Sequence, residues 1–476
     1  MNPIASAPLS VASSASSTVA SSPAAPRDDS RERLERLSDL AERLLARARA
    51  LGASQAEVDC SEDRGLSVSA RMGQVETIES TRDRSIGITV YFGRRKGSAS
   101  TADLRAESLE ATVAQACAIA RHTEDDDAAG LADPERMARP GTDGDWPEFD
   151  QWHPWALEAE RAVDLAIACE AAGRDADPRI ANSEGGSVST QESLGVYANS
   201  HGFVGRERST RHSLSCALIA GEGAGMQGDS WYTYGVSADD LEAPDVVGRK
   251  AAERTVSRLA PRSLGTGSMP VLFAPEVARS LVGHLLQAAS GGALYRRSSF
   301  LLDRQGQRIL PPWLSIAERP FLRRGLQSGN YDAEGVAARE SLIVEDGVLA
   351  RYLLSSYSAR KLGLESTGNA GGIYNLEVSA NADDLAGIAR RMGEGLLVVE
   401  LMGQGVNIVT GDYSRGAAGF KVENGEIAYP VAGITIAGRL PEMFERIEAI
   451  GADIDPRSHI RCGALLVGAM TVAGQG

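Results

Sequence analysis

The spacing of the apolar residues changes near Gly52, and this change is the feature that most restricts the folds open to the chain. Before Gly52, leucines and alanines recur every three or four residues from about Asp29, which predicts an amphipathic helix. Beyond it, apolar and polar residues alternate in segments 66–70 and 86–92, as they do in half-buried β-strands. A helix followed directly by alternating strands predicts a domain of the α+β class.

Shifts in composition divide the 476 residues into successive regions. The first of them is rich in Ala, Ser and Pro and holds too little apolar surface to fold, so a disordered tail is predicted there. A later acidic run that leads into a Gly/Pro-rich stretch predicts a linker. The predicted regions are a tail at 1–28, an N-terminal α+β domain at 29–123, an acidic linker at 124–147, a middle α+β domain at 148–258, and a C-terminal β-rich domain at 269–476.

Two turn signals lie in the C-terminal region. Asp346-Gly347 and Asn424-Gly425 each separate two apolar runs, and both dipeptides suit type I′ turns, which need positive φ at both central positions. Such turns join neighbouring antiparallel strands. The predicted fold is therefore α+β, with N-terminal helix-plus-sheet domains and a larger, mainly antiparallel β C-terminal domain.

Charge and cysteine content restrict the partners and the compartment. The 49 basic residues are outnumbered by 64 acidic ones, for a net charge of −15, so nucleic acid and anionic membrane are not expected as partners. No apolar run reaches the roughly 18 residues of a membrane-spanning helix. The five cysteines are scattered and form no C-x-x-C pair, which favours a reducing compartment. We therefore predict a cytoplasmic location.

The histidines argue against a conventional zinc-peptidase site. Such a site places two histidines on one helix face with a glutamate beside the first, yet none of the six histidines is followed by glutamate. Two other motif matches lack their structural context. Residues 223–228 fit G-x-G-x-x-G but precede an aromatic, strand-like segment, and residues 358–361 fit S-x-x-K without an accompanying K-T-G. We therefore expect neither dinucleotide binding nor β-lactamase chemistry.

Several stretches of the chain resemble the PmbA/TldE family, the sister group of the TldD zinc peptidases. Together they extend from about Leu34 to the C-terminus. The stretches that carry the resemblance are Ile88–Tyr91, Lys96–Ser100, Asn182–Gly186, Ser209–Ser215, Tyr295–Asp303, Ser356–Gly363, Leu401–Gly405 and Thr410–Phe420.

The resemblance implies a TldE-type subunit that lacks the zinc motif. Such a chain would pair with a TldD-like zinc peptidase in the cytosol, as a heterodimeric metalloprotease acting on small or unfolded peptides. Peptide-antibiotic leaders and labile antitoxins are the substrates that the resemblance implies. Zinc would be a cofactor of the partner, and this chain would hold no metal and no catalytic residue of its own. His284 and Cys462 resemble degenerate positions of the metal site.

The glycine-rich segments suggest where a peptide could contact this half. Glycine permits close backbone approach, and a sheet edge beside it could hold an extended peptide by main-chain hydrogen bonds. The candidates for substrate contact are Gly403, Gly405, Asp412, Tyr413 and Arg415. A turn that simply closes a sheet remains the alternative interpretation of this segment.

Two other functions stay open at this point. The chain could be a non-enzymatic peptide-binding regulator, in which case no partner would elicit cleavage. It could also be an active metallopeptidase with an unconventional site built on His284 and Cys462. The second alternative predicts that His284→Ala abolishes cleavage.

Overall fold

The computed structural model describes residues 28–141 and 146–474. All but the last residue of the predicted tail, and the part of the predicted linker at 142–145, lie outside these ranges. The helices of the described residues are α1 Ser30–Ala50, α2 Ala106–His122, α3 Ala159–Arg174, α4 Pro244–Ser257, α5 Pro275–Ala288, α6 Gly291–Tyr295, α7 Ser356–Leu362, α8 Leu385–Met392 and α9 Leu440–Glu445.

The strands account for most of the regular structure, and several of them are long. The first six are β1 Gln55–Arg71, β2 Gln74–Phe92, β3 Arg95–Thr101, β4 Ile180–Asn199, β5 Val204–Ala220 and β6 Gln227–Gly235. The remaining strands are β7 Gly267–Phe273, β8 Ile316–Arg319, β9 Ser341–Glu345, β10 Val348–Leu349, β11 Asn375–Val378, β12 Gly395–Met402, β13 Val406–Asn407, β14 Asp412–Glu423, β15 Glu426–Arg439, β16 Ile447–Ile450, β17 Ile460–Arg461 and β18 Leu465–Gly474.

The first two predicted domains contribute to one antiparallel sheet with the order β3-β2-β1-β4-β5-β6. Strand β1 lies at its centre and pairs with β2 on one side and β4 on the other. The apolar residues Ala56, Val58 and Cys60 of β1 are buried on the face that carries helices α1 to α4. The alternate residues form a polar face, which turns toward the C-terminal region. Sequence spacing predicts this alternation but not the pairing of β1 with β4.

The C-terminal region contains two further sheets. One has the order β12-β7-β18-β15-β14-β13, with β16 paired to β18 as its seventh strand. Because β12 also pairs with β14, the first five strands of this order close into a ring. The other has the order β10-β9-β8-β11-β17. Pairings are antiparallel except for β7–β12 and β11–β17. The α+β class with a mainly antiparallel C-terminal region is confirmed.

Both predicted hairpin turns are present. Asp346 and Gly347 have φ values of 48° and 80°, and they connect β9 to β10. Asn424 and Gly425 have φ values of 53° and 80° and connect β14 to β15. Positive φ at both central positions is the geometry that type I′ turns require. Within the described residues, no helix is long and apolar enough to cross a membrane.

Candidate functional site

Helix α5 and strand β14 bring together two of the predicted substrate-contact residues and one predicted metal-site position. Pro275 starts α5, and the helix buries its apolar face in the C-terminal core. Tyr413 and Arg415 are two residues apart in β14 and therefore share a face of the strand. The ring of His284 lies edge-on to the ring of Tyr413, with centroids 6.1 Å apart.

This cluster contains three buried polar atoms without a hydrogen-bond partner among the described residues: His284 Nε2, Tyr413 OH and Arg415 Nε. Burial lowers the pKa of His284, and the charge of Arg415 lowers it further. Burial raises the pKa of Tyr413 to about 12, with Arg415 acting in the opposite direction. At neutral pH the imidazole and the phenol are therefore uncharged, and the guanidinium is the only permanent charge of the three.

The other predicted contact residues lie around this cluster but not in it. Asp412 is exposed on the opposite face of β14 and accepts a hydrogen bond from Thr410 Oγ1 at 2.5 Å. Gly403 has a φ of +75° and open space around it. Gly405 packs directly on β14, since a Cβ there would overlap the carbonyl oxygen of Ser414. Tyr413 is only 1% exposed, so its contact with a substrate stays a prediction, as does that of the other four.

The second predicted metal-site position is enclosed in the core. Cys462 is 1% exposed, and its Sγ lies 3.4 Å from the carbonyl oxygen of Gly463. Burial raises the pKa of the Cys462 thiol to about 12, and the charge of Asp453 contributes in the same direction. Among residues 28–141 and 146–474, no three His, Cys, Asp or Glu side chains are grouped so that they could hold a metal ion. The donors around His284 and Cys462 therefore do not fit zinc, which takes three or four protein ligands.

Thiol reactivity provides a test of this placement. All five cysteines are free and buried, and only the thiolate form reacts with alkylating reagents. We expect at most about one thiol per chain to react with iodoacetamide at pH 8 in the native protein, and all five in denaturant. Mass spectrometry of the labelled peptides identifies the sites. Rapid native labelling of Cys462 would contradict its enclosed position.

A second candidate site was missed by the sequence analysis. A cavity of about 270 Å³ lies between the polar face of the β1–β4–β5 strands and the loops of the C-terminal region. Its lining includes Asp59 and Glu207 from the sheet and Tyr374 from the C-terminal region. The alternation of β1 places Asp59 on the polar face, which is a signal that sequence carries. That Glu207 and Tyr374 lie opposite it depends on pairings between distant segments.

The chain matches a known protein family along most of its length. The PmbA/TldA metallopeptidase family matches the chain in three parts: domain 1 at residues 56–120, the central domain at 152–259 and the C-terminal domain at 266–474. The chain is 50% identical over 420 residues to a protein of Escherichia coli O157:H7 named metalloprotease PmbA, covering 88% of this chain and 92% of that protein.

Two solved structures resemble the whole fold. A candidate modulator of DNA gyrase from Bacteroides thetaiotaomicron superposes with a TM-score of 0.87 at 26% identity, covering 93% of this chain and 99% of that one. TldE from Thermococcus kodakarensis superposes with a TM-score of 0.76 at 19% identity, covering 91% and 99%. The chain therefore belongs to the PmbA/TldD family of metallopeptidases, as its sequence motifs indicated.

Proposed function

We propose that this chain is the zinc-free subunit of a cytosolic, two-component metalloprotease that acts on small or unfolded peptides. The zinc and the general base belong to a TldD-like partner, and this chain completes the peptide-binding chamber. Relatives named metalloproteases support the reaction class. The five free cysteines support a reducing compartment.

The observation that carries the proposal is the charge of Arg415 beside His284. A guanidinium has only hydrogen-bond donors and cannot ligate a metal ion. Its positive charge already lowers the pKa of His284, and it disfavours a divalent cation at the imidazole for the same reason. The sequence has no His-Glu pair, which removes the usual general base next to such a ligand. Both features favour a subunit that depends on another chain for its metal.

The edge beside this cluster suits contact with an extended peptide or with the partner. Strand β13 is the last strand of its sheet, so one side of its backbone is unpaired within that sheet. Met402 is 42% exposed and Val409 is 51% exposed on either side of it. Main-chain hydrogen bonds at such an edge recognise backbone and tolerate many side chains, which fits a peptidase of broad specificity.

Reconstitution tests the proposal. The chain alone should carry less than about 0.1 zinc per molecule and show no hydrolysis of a fluorogenic unfolded peptide, because the residues that the structure describes do not group the three ligands that hold zinc. A mixture with a TldD-like subunit should hydrolyse the peptide at least about a hundredfold faster than this chain alone, and 1,10-phenanthroline should abolish that activity. Zinc is measured by mass spectrometry of the purified proteins.

His284→Ala is the matched variant for this experiment. The reconstituted pair should keep its activity within about threefold, because this imidazole holds no catalytic ion. Stoichiometric zinc and full activity in the chain purified alone would overturn the proposal. Peptide binding without cleavage in every mixture would favour the regulator instead.

A further inference from the structure

The cavity between the sheet and the C-terminal region is acidic and aromatic. Among the described residues, its lining includes the carboxylates of Asp59, Glu207 and Asp332, and no basic side chain. Three tyrosines also line it: Tyr197, Tyr331 and Tyr374. Carboxylates and aromatic faces both attract cations. The chemistry of the walls therefore favours a positively charged occupant.

Glycine at the floor of the cavity makes room between the two acids of the sheet. Gly195 of β4 pairs with Glu207 of β5, and its neighbour Tyr197 pairs with Asp59 of β1. The acids therefore stand two strands apart and are offset by two residues along the strands, so their Cα atoms lie roughly 12 Å from each other at the usual strand spacing and rise. A Cβ at Gly195 would meet no atom within 4 Å, so the space between the acids is open.

The three carboxylates are not equivalent. Asp332 is satisfied by the main chain, because it accepts hydrogen bonds from the N–H groups of Glu334, Val336 and Ala370 at 2.9–3.0 Å. Glu207 lines the cavity with Tyr331 and forms no ion pair with a described residue. Asp59 also has no ion-pair partner among the described residues. Asp59 and Glu207 thus keep free acceptor capacity that faces the cavity.

Tyr374 supplies an independent observation that points to a ligand. It lines the cavity and is 7% exposed, and its hydroxyl has no hydrogen-bond partner among the described residues. A buried hydroxyl without a hydrogen-bond partner is destabilising. A hydroxyl can accept as well as donate, so an N–H group of a bound ligand would satisfy it.

The ionisation of Glu207 should respond to a bound cation. Although its side chain touches solvent in the cavity, the surrounding protein raises the pKa of Glu207 to about 7, and the charge of Asp59 adds to this effect. The same removal of water raises the pKa of Asp59. A positive charge placed between them would stabilise both carboxylates in their ionised form.

We propose that this cavity binds one cationic group of a peptide, a guanidinium or an ammonium, between Asp59 and Glu207. The peptide nature of the ligand rests on the proposed function, whereas the preference for a cation rests on the cavity alone. Its volume is slightly below the roughly 300 Å³ of the smallest ligand pockets, which suits one side chain or one chain terminus. Among the described residues, no three His, Cys, Asp or Glu side chains are grouped there so that they could hold a metal ion, which favours an organic cation.

Binding of short peptides to the chain without any partner tests this proposal. Four fluorescent alanine-rich octapeptides serve as probes: one acetylated with a central arginine, one acetylated with citrulline in its place, and the same two with a free amino terminus. Anisotropy titrations give the affinities. We expect a charged probe to bind about tenfold more tightly than the acetylated citrulline peptide, in line with one partly buried charge contact.

The four probes separate the two sources of charge. A gain with arginine identifies a side-chain site, and a gain with the free amino terminus identifies a site for the end of a peptide. Equal affinity of all four probes would overturn the proposal.

Isosteric variants locate the effect. Asp59→Asn together with Glu207→Gln should remove the preference for the charged probe and leave binding of the neutral one unchanged. Asp63→Asn is the matched control, since Asp63 lies further along β1 on the same polar face but outside the cavity lining. Retention of the preference in the double variant would overturn the proposal. If circular dichroism shows that the double variant does not fold, the single Asp59→Asn variant tests the charge preference instead. Asp59 is exposed to the cavity, so this variant should fold.

The affinity for the charged probe should also rise with pH. The groups around Glu207 in this cavity are Asp59, Asp332, Tyr331 and Tyr374. Glu207 also lines an adjoining cavity, whose charged residues are Arg31, Glu35, Glu148, Arg206, Arg208 and Arg211. Burial raises the pKa of Glu207 and of Asp332 to about 7. Main-chain N–H groups already bind the Asp332 carboxylate, so the ionisation of Glu207 should dominate the effect. We expect the affinity for the charged probe to increase several-fold between about pH 6 and pH 8.

Cleavage assays with the partner test the proposed function and not this cavity. Charge preference without cleavage would defeat only the proposed function, and cleavage without charge preference would defeat only this cavity site.

Discussion

Glu318→Ala is expected to lower the free energy of unfolding of the C-terminal region by about 3–5 kcal/mol, the usual effect of removing one partner from a buried ion pair. Glu318 is 1% exposed in β8, and its carboxylate forms an ion pair with Arg351. It also accepts hydrogen bonds from Asn369 Nδ2 and from the main-chain N–H of Tyr374, both at 2.9 Å. The alanine variant would leave the Arg351 charge and these donors without their acceptor.

Chemical denaturation followed by fluorescence measures this effect. Glu377→Ala is the matched control, because Glu377 pairs with Arg319 between the adjacent strands β8 and β11 but is 43% exposed at its side chain. Exposed pairs contribute at most about 1 kcal/mol, so the control should change little. Similar losses of unfolding free energy in the two variants would show that the burial of Glu318 does not determine its contribution to stability.

The same substitution has a consequence for the cavity. Glu318 holds Asn369 and Tyr374 at both ends of a glycine-rich loop, and Tyr374 lines the cavity. Loss of Glu318 should therefore weaken the preference for cationic peptides even under conditions in which the protein remains folded. Glu318 thus acts as a positioning residue for the wall of the cavity.

Gly419→Ala is expected to lower the free energy of unfolding by about 3 kcal/mol, at the upper end of ordinary overpacking effects. Gly419 is buried in β14 at a bulge between β12 and β15. A Cβ there would overlap the carbonyl oxygen of Leu397, which belongs to the backbone of β12 and cannot rotate away. The strands must separate to accept a methyl group, and this would open the ring that they form.

Gly416→Ala is the matched control in the same strand. A Cβ at Gly416 would lie 3.3 Å from Met402 Cβ, and the rest of that side chain can adjust. We expect a change of less than about 1 kcal/mol. Thermal or chemical unfolding of the two variants distinguishes them, and equal stability would mean that close approach of β12 and β14 does not depend on glycine at position 419.

The local elements of this protein could be predicted from sequence. The period of the apolar residues predicts α1 and the alternation of β1 and β2, and Asn-Gly and Asp-Gly predict two hairpins with positive φ. The resemblance of the motifs also led to the family that the comparisons show. These signals are readable because each one depends on neighbours within about ten residues of the chain.

The surroundings of the candidate site residues could not be predicted from sequence. The interpretation of His284 and Cys462 as degenerate positions of a metal site stays a prediction, and sequence does not indicate that an arginine lies beside the histidine or that the cysteine is enclosed in the core. No sequence motif contains Asp59 or Glu207, so sequence does not predict a site at these residues. Their proximity arises from the pairing of β1 with β4 and of β4 with β5.

The sequence by itself determined the α+β class, the family and the lack of a His-Glu pair, since periodicity, turn chemistry and motifs are properties of adjacent residues. Only the tertiary structure decided which polar groups lie near each other: Arg415 lies beside His284, and Asp59, Glu207 and Tyr374 line one cavity. These arrangements depend on strand order and on packing between distant segments. Burial then changes the pKa values and the charge balance of those groups, and no local pattern in the chain encodes that environment.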